Sequence, residues 1–290
     1  MGFVKKFLCG IAVFVTVIVL SLMGLAFWLK AKSPLSSKVA VLKIEGVINS
    51  ADETLKLLKR VERDGSIKAL VVRVNSPGGA VGASQEIYEE LEKIRKKYHK
   101  PVVVSMGNVA ASGGYYISLP ANVIYAEGGT ITGSIGVIIQ KFDIQGLANK
   151  LGVKLEVVKT GKFKDILNPF RPMTEEEKKY LLNLEENVLR QFKDAVVKNR
   201  GDKLKVNIDK IADGRIFSGL QAKELGLIDK IGNLEDAINE AAKLAGIKGR
   251  PTVIELKRSQ PFLKRLLGAN IDAVKVLDTS SPFMVYYLMY

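Results

Sequence analysis

The chain has 290 residues, 31.8 kDa and 47% hydrophobic content, enough for one large packed domain or two small ones, which excludes wholesale disorder. A single cysteine, Cys9, and a single histidine, His99, exclude internal disulfides, Cys-rich or His-rich metal sites, and any Ser-His-Asp triad not built on His99. The net charge of +14 gathers at the ends: residues 1–38 hold five lysines and no acid, and residues 257–290 hold five bases against Asp272 and Asp278, so a membrane surface is the expected partner and nucleic acid is not.

From Phe7 to Leu29 no charge interrupts 23 residues, a length that as a helix spans about 35 Å against a hydrocarbon core of about 30 Å. A cleaved signal peptide has a shorter apolar stretch and a small-residue cleavage site; here Trp28 stands beside Lys30 and Lys32 like an interfacial anchor. Residues 1–30 therefore read as an uncleaved, single-pass membrane anchor, with Cys9 a lipid-facing apolar residue. Lys5 and Lys6 on one side match Lys30 and Lys32 on the other, so charge does not choose the orientation.

Residues 31–37 (AKSPLSS) form a polar linker, residues 38–256 a globular domain, and residues 257–290 an extension that ends in the apolar run SPFMVYYLMY. Short β-branched runs bounded by turn residues predict strands at 39–44, 69–74, 102–105, 122–126, 136–139, 154–158 and 251–256. Helices are predicted from Ser84 to Lys97, after the capping-box spacing at Thr174-Glu175-Glu176-Glu177, from Gly219 to Gly226 and from Leu234 to Ala245. The alternation argues for an α/β domain whose mostly parallel sheet is covered by helices.

Two loops could carry chemistry. Asn75-Ser76-Pro77-Gly78-Gly79 follows a buried strand, and its glycines suit either a tight turn or backbone amides facing a developing negative charge. Ala110-Ala111-Ser112-Gly113-Gly114 places Ser112 among small residues where a helix would begin, as an N-cap or as a reachable nucleophile with helix N-terminal donors behind it. His99 lies in the polar turn Lys97-Tyr98-His99-Lys100-Pro101 and is a poor base. The remaining base is a desolvated lysine, whose pKa must fall from about 10.4 to near 7 or 8, roughly 4 kcal/mol. Composition alone does not say which lysine.

These segments, together with Thr132-Gly133-Ser134-Ile135-Gly136-Val137, Gly161-Lys162-Phe163-Lys164-Asp165-Ile166, Ala212-Asp213-Gly214-Arg215 and Gln221-Ala222-Lys223, resemble in order and spacing the signal peptide peptidase A family over about residues 38–250. That family consists of membrane-anchored Ser-Lys proteases with a Clp-protease/crotonase-like fold. The resemblance implies Ser112 as nucleophile, Lys164 and not Lys162 as general base, Ser134 as the serine that orients the lysine amine, and the Gly79 and Gly113 amides as the oxyanion hole. Asp165 is expected to face solvent or cap local backbone, because a close carboxylate would raise the lysine pKa. Val81, Val109, Ile131 and Ile135 are expected to line a groove that takes an extended peptide as an added strand.

This chain matches the family's short, single-copy form, which implies a homo-oligomeric ring, octameric in the family, with each dyad shared between neighbouring copies. The expected substrates are apolar signal-peptide remnants at the membrane, with the catalytic domain on the extracytoplasmic side and with neither metal nor cofactor. The alternatives are a protease for one membrane-protein partner, a crotonase-like acyl-CoA enzyme, and a silent membrane scaffold; the apolar tail either docks on a neighbour or lies in the groove as a mock substrate.

Overall fold

The computed structural model describes residues 15–24, 37–257 and 286–288. Residues 15–24 are helical and exposed, and among the described residues no helix is long and apolar enough to cross a membrane. Most of the predicted span, 7–29, lies outside the described residues.

The sheet is built from β1 (Lys38–Glu45), β2 (Ile67–Ser76), β4 (Val102–Ala111), β5 (Val123–Ala126), β6 (Ile131–Gly133), β7 (Ile216–Ser218), β8 (Lys230–Ile231) and β9 (Thr252–Leu256). Its path runs β7-β6-β4-β2-β1-β9, with β5 beside the first half of β4 and β8 on the other side of β5. All pairings are parallel except β6 with β7, so the sheet is mixed. Ten-residue β4 serves two neighbours: Val103–Ser105 pair with β5, whereas Val109–Ala111 pair with β6.

Strands covered on both faces are apolar at nearly every position. Ala40, Leu42, Leu70, Val72, Val102 and Val104 face one core, packed by α1 (Asp52–Arg63), α2 (Val81–Lys96) and α5 (Glu175–Arg200). The alternate residues Val39, Val41, Ala69, Val71 and Val103 face α7 (Leu234–Leu244) through Ala237, Ile238, Ala241 and Ala242. The period of two is the strand pleat itself. The other helices are α3 (Gly113–Tyr116), α4 (Gln145–Lys150) and α6 (Gly219–Glu224).

Two predicted strands are not formed. Among the described residues, 136–139 and 154–158 form no strand, with a single isolated bridge at Ile138, and Val158 is fully exposed. The capping box before α5 forms as the spacing predicts, with the Thr174 hydroxyl accepting from the Glu177 amide and the Glu177 carboxylate accepting from the Thr174 amide.

The far end of α5 is fixed by Arg200, whose guanidinium donates to Asp229 Oδ2 at 2.9 Å and to the Gly226 carbonyl at 2.8 and 3.0 Å, with Arg200 2% and Asp229 14% exposed. Burial alone would push the Asp229 carboxyl up, but the bonds from Arg200 and Lys203 leave it below its ordinary value. Arg200→Met takes the buried guanidinium from that carboxylate and from the Gly226 carbonyl, leaving Asp229 with Lys203 and the Ile124 amide, so a loss of about 3 kcal/mol is expected in denaturant titrations. The Asp229 contribution is complete above the unfolded carboxylate value, about 3.9, and is lost as pH falls through the depressed folded value.

Candidate functional site

The carboxyl ends of β2, β4 and β6 lie side by side, with Ser76 opposite Ala110 and Ala111 opposite Gly133. The residues that leave these three strands are therefore neighbours: Pro77-Gly78-Gly79, Ser112 and Ser134. Sheet topology alone gathers four of the five expected catalytic positions at the edge where ligands bind in parallel α/β sheets.

Ser112 links β4 to the single turn of α3 with φ 52° and ψ −116°, a conformation rare for any residue but glycine. Such a backbone costs about 1–3 kcal/mol and turns a side chain sharply out of the strand direction. The main chain sustains it: the Ser112 amide donates to the Gly133 carbonyl at 2.8 Å, and the Ser112 carbonyl accepts from the Tyr116 amide at 2.8 Å. The residue is 1% exposed, and its hydroxyl has no hydrogen-bond partner among the described residues. A buried hydroxyl held in a strained turn without a partner is an unusual expense for a fold. It does not cap α3, so the expectation of a simple N-cap fails here.

The glycines beside it are required by space. Gly78 has φ 107°, and a Cβ on it would stand 2.0 Å from the Tyr287 carbonyl oxygen and 2.8 Å from the Gly113 amide nitrogen. A Cβ on Gly113 would lie 3.1 Å from the Gly79 amide nitrogen. The Gly79 and Gly113 amides thus border one small volume that only hydrogen side chains leave open. Because α3 has only one turn, separate amide donors matter here more than an accumulated helix dipole.

Strand β3 (Gly78–Ala80) carries these glycines and is paired on both edges. Ile48 bridges it on one side, and on the other β10 (Tyr286–Leu288) runs antiparallel to it, with Tyr287 opposite Gly79. The Tyr287 ring is fully buried, stacked on Tyr116 at 5.3 Å and tilted against Phe192 at 4.7 Å, and its hydroxyl donates to the Val188 carbonyl at 3.2 Å. Burial raises the Tyr287 phenol above its ordinary value. The tail's apolarity is visible in the sequence; its register on β3 and its pocket depend on contacts from α3 and α5 that carry no local signal.

Ser134 is 6% exposed with φ 49°, and its amide donates to the Arg215 carbonyl at 2.8 Å, placing the Ala212–Arg215 motif behind it. Of the expected groove residues, Val109 and Ile131 are half-buried partners across β4 and β6, and Val81 borders a cavity of about 450 Å³ with Asn49, Asp52 and Glu86. Ile135 is completely buried in the main core, so within one chain it supports the groove from behind.

Lys164 is not brought to Ser112. It is exposed, in an irregular segment, and makes no ion pair or side-chain hydrogen bond among the described residues. Lys162 is exposed and paired with Glu176, in keeping with a solvated residue. Asp165 departs from expectation: its side chain is 12% exposed and is held by Arg171 and Lys159. His99 is exposed in its turn at φ 52° and is remote from this edge in the fold, beyond the C-terminal end of α2. No group of acidic, histidine or cysteine side chains suited to a metal occurs among the described residues.

The model of Peptidase family S49 matches residues 94–248, more than half of the chain, and that of Clp protease matches residues 33–124. A Synechocystis chain named as a protease is 41% identical over 252 residues, covering 85% of this chain and 89% of its own. An Enterococcus faecium chain named as signal peptide peptidase SppA is 38% identical over 250 residues, covering 81% of this chain and 72% of its own. Protease 4 of Haemophilus influenzae is 36% identical over 72% of this chain, which spans 35% of that longer protein. With the Clp-protease match over the strands that lead to Gly78 and Ser112, and the Synechocystis and Enterococcus relatives aligned across most of their length, this chain belongs to peptidase family S49, the signal peptide peptidase family, and is a serine protease.

Proposed function

We propose that the protein is a membrane-anchored endopeptidase with a Ser112–Lys164 dyad that degrades apolar peptides, signal-peptide remnants among them. The observation that carries this reading is the Ser112 hydroxyl, buried and without a partner among the described residues, at the strand end where the Gly79 and Gly113 amides come together. Ser112 attacks the peptide carbonyl, the two amides take the developing oxyanion, and Lys164 receives the hydroxyl proton and returns it to the leaving amine. Ser134 orients the lysine, and water activated by the same amine releases the acyl-enzyme.

The tail supports the mode of substrate binding. β10 adds to β3 as a strand, which is how an extended peptide would be read, with a main-chain ladder along Gly78–Ala80 and side-chain pockets alternating to either side. Val81, Val109 and Ile131 border that path, with Ile135 behind it.

Lys164 reaches Ser112 from a neighbouring copy. The segment leading to it exposes Phe142 (83%), Leu151 (70%) and other apolar side chains that nothing among the described residues covers. A second copy covering them closes a ring, with eight copies as the count the family resemblance implies. Residues 1–30 tether the domain, residues 31–37 link it, and residues 38–256 work on the extracytoplasmic face, where remnants of apolar signal segments remain in the lipid.

A β-lactone acylating probe tests the site. The expected result is a single adduct that peptide mapping places on Ser112, formed in parallel with loss of cleavage of an apolar peptide. An active enzyme acylated elsewhere overturns the assignment.

A further inference from the structure

Arg171 ties the irregular segment that carries Lys164 to the start of α5. Its Nε donates to Asp165 Oδ2 at 2.9 Å, and its Nη2 donates to Asp165 Oδ1 at 2.9 Å and to the Asp165 carbonyl at 3.1 Å. Nη1 donates to Glu177 Oε2 at 2.9 Å and to the Pro172 carbonyl at 3.1 Å, and Nη2 also reaches Glu177 Oε1. Glu177, 4% exposed, is the capping-box residue of α5, so the peptide that follows Lys164 is tied directly to a helix end. This two-sided fork is a geometry that lysine cannot reproduce.

Several neighbouring charges are paired or hydrogen-bonded. Lys159 pairs with Asp165, Lys162 with Glu176, and Lys141 donates to the Arg171 carbonyl. Bonds from Arg171 and Lys159 hold the Asp165 carboxyl well below its usual range, and Arg171 brings Glu177 down to about 2. Lys164, next to Asp165 in the chain, has no acidic partner among the described residues. A free carboxylate on the adjoining residue would favour its ammonium form, which cannot accept a proton.

We propose that Arg171 is a positioning residue for the Lys164 base: it fixes the peptide that follows Lys164 and cancels the Asp165 charge that would otherwise keep the amine protonated. This rests on Lys164 being the general base.

The test is the pH profile of kcat/KM for apolar-peptide cleavage by the full chain in detergent micelles, in wild type, Arg171→Met, Arg171→Lys, Asp165→Asn and the Arg171→Met/Asp165→Asn double variant. In Arg171→Met, kcat/KM near neutrality should fall by about tenfold or more and the acid limb should move up by about one pH unit. Arg171→Lys should restore the midpoint more than the rate, since it supplies charge without the fork. Asp165→Asn alone removes one negative charge, leaving Lys159 unpaired and Arg171 with Glu177 only, and should move the limb down, and adding it to Arg171→Met should return the midpoint while leaving the rate low. Shifts of opposite sign are not produced by a merely structural arginine. A rate loss in Arg171→Met with an unmoved midpoint overturns the proposal; should that variant fail to fold, an unmoved midpoint in Asp165→Asn does the same. If Lys164→Ala keeps the wild-type rate and profile, the base assignment itself has failed, and that outcome is distinct from the others.

Discussion

Replacing Ser112 by alanine is expected to lower peptide cleavage by about 10⁴-fold while leaving the chain folded. The two effects separate because of what holds the residue. Its strained backbone is kept by main-chain bonds to Gly133 and Tyr116, not by the side chain, and the hydroxyl itself makes no bond whose loss the fold would register. Alanine at φ 52° is no more strained than serine, so stability should change by no more than about 0.5 kcal/mol. Activity falls for a different reason: the two amides beside Gly78 stabilise an oxyanion only when a nucleophile has attacked, and no other hydroxyl occupies the turn. Initial rates on an apolar peptide, paired with thermal unfolding of both chains, measure the two quantities. A folded Ser112→Ala chain that keeps more than about a tenth of the wild-type rate removes Ser112 from the chemistry.

Much of this site is legible in the sequence because it is written in strand ends. The β-branched runs at 69–74 and 102–105, each followed by glycine, place Gly79 and Ser112 at the carboxyl ends of adjacent parallel strands, and adjacency then follows from topology. Longer-range features are not legible in this way. Residues 136–139 and 154–158 have strand composition but form no strand among the described residues, and β-propensity without a paired neighbour does not make a ladder. The tail's apolar run does not announce that Tyr287 will stand opposite Gly79, because that register depends on a pocket formed by Tyr116 and Phe192, far away in sequence. Asp165 reads as a solvated residue until Arg171, six positions on, is seen to fold back on it; an arginine between Phe170 and Pro172 belongs to no motif of known spacing. The strain at Ser112 is likewise invisible, since serine gives no hint that its φ is positive.

Chains carrying Ser112→Ala and chains carrying Lys164→Ala, each inactive alone, should recover activity when assembled together. The reason is geometric. Within one chain Ser112 is buried without a partner and Lys164 stands exposed at the end of a segment whose apolar side chains, Phe142 and Leu151 among them, are uncovered. If each dyad joins a serine from one copy to a lysine from the next, a site works when the first chain keeps Ser112 and the second keeps Lys164. In a ring of randomly mixed subunits in equal amounts this holds at about one site in four, so about a quarter of the wild-type specific activity should return. The yield should follow the product of the two chain fractions, falling symmetrically as the mixture departs from equality. A dyad confined to one chain predicts no recovery at any ratio. The decisive measurement is peptide cleavage across a series of mixing ratios, with native mass spectrometry confirming that the rings contain both chains. Mixed rings that stay inactive would leave Ser112 as nucleophile but require its base to come from within its own chain.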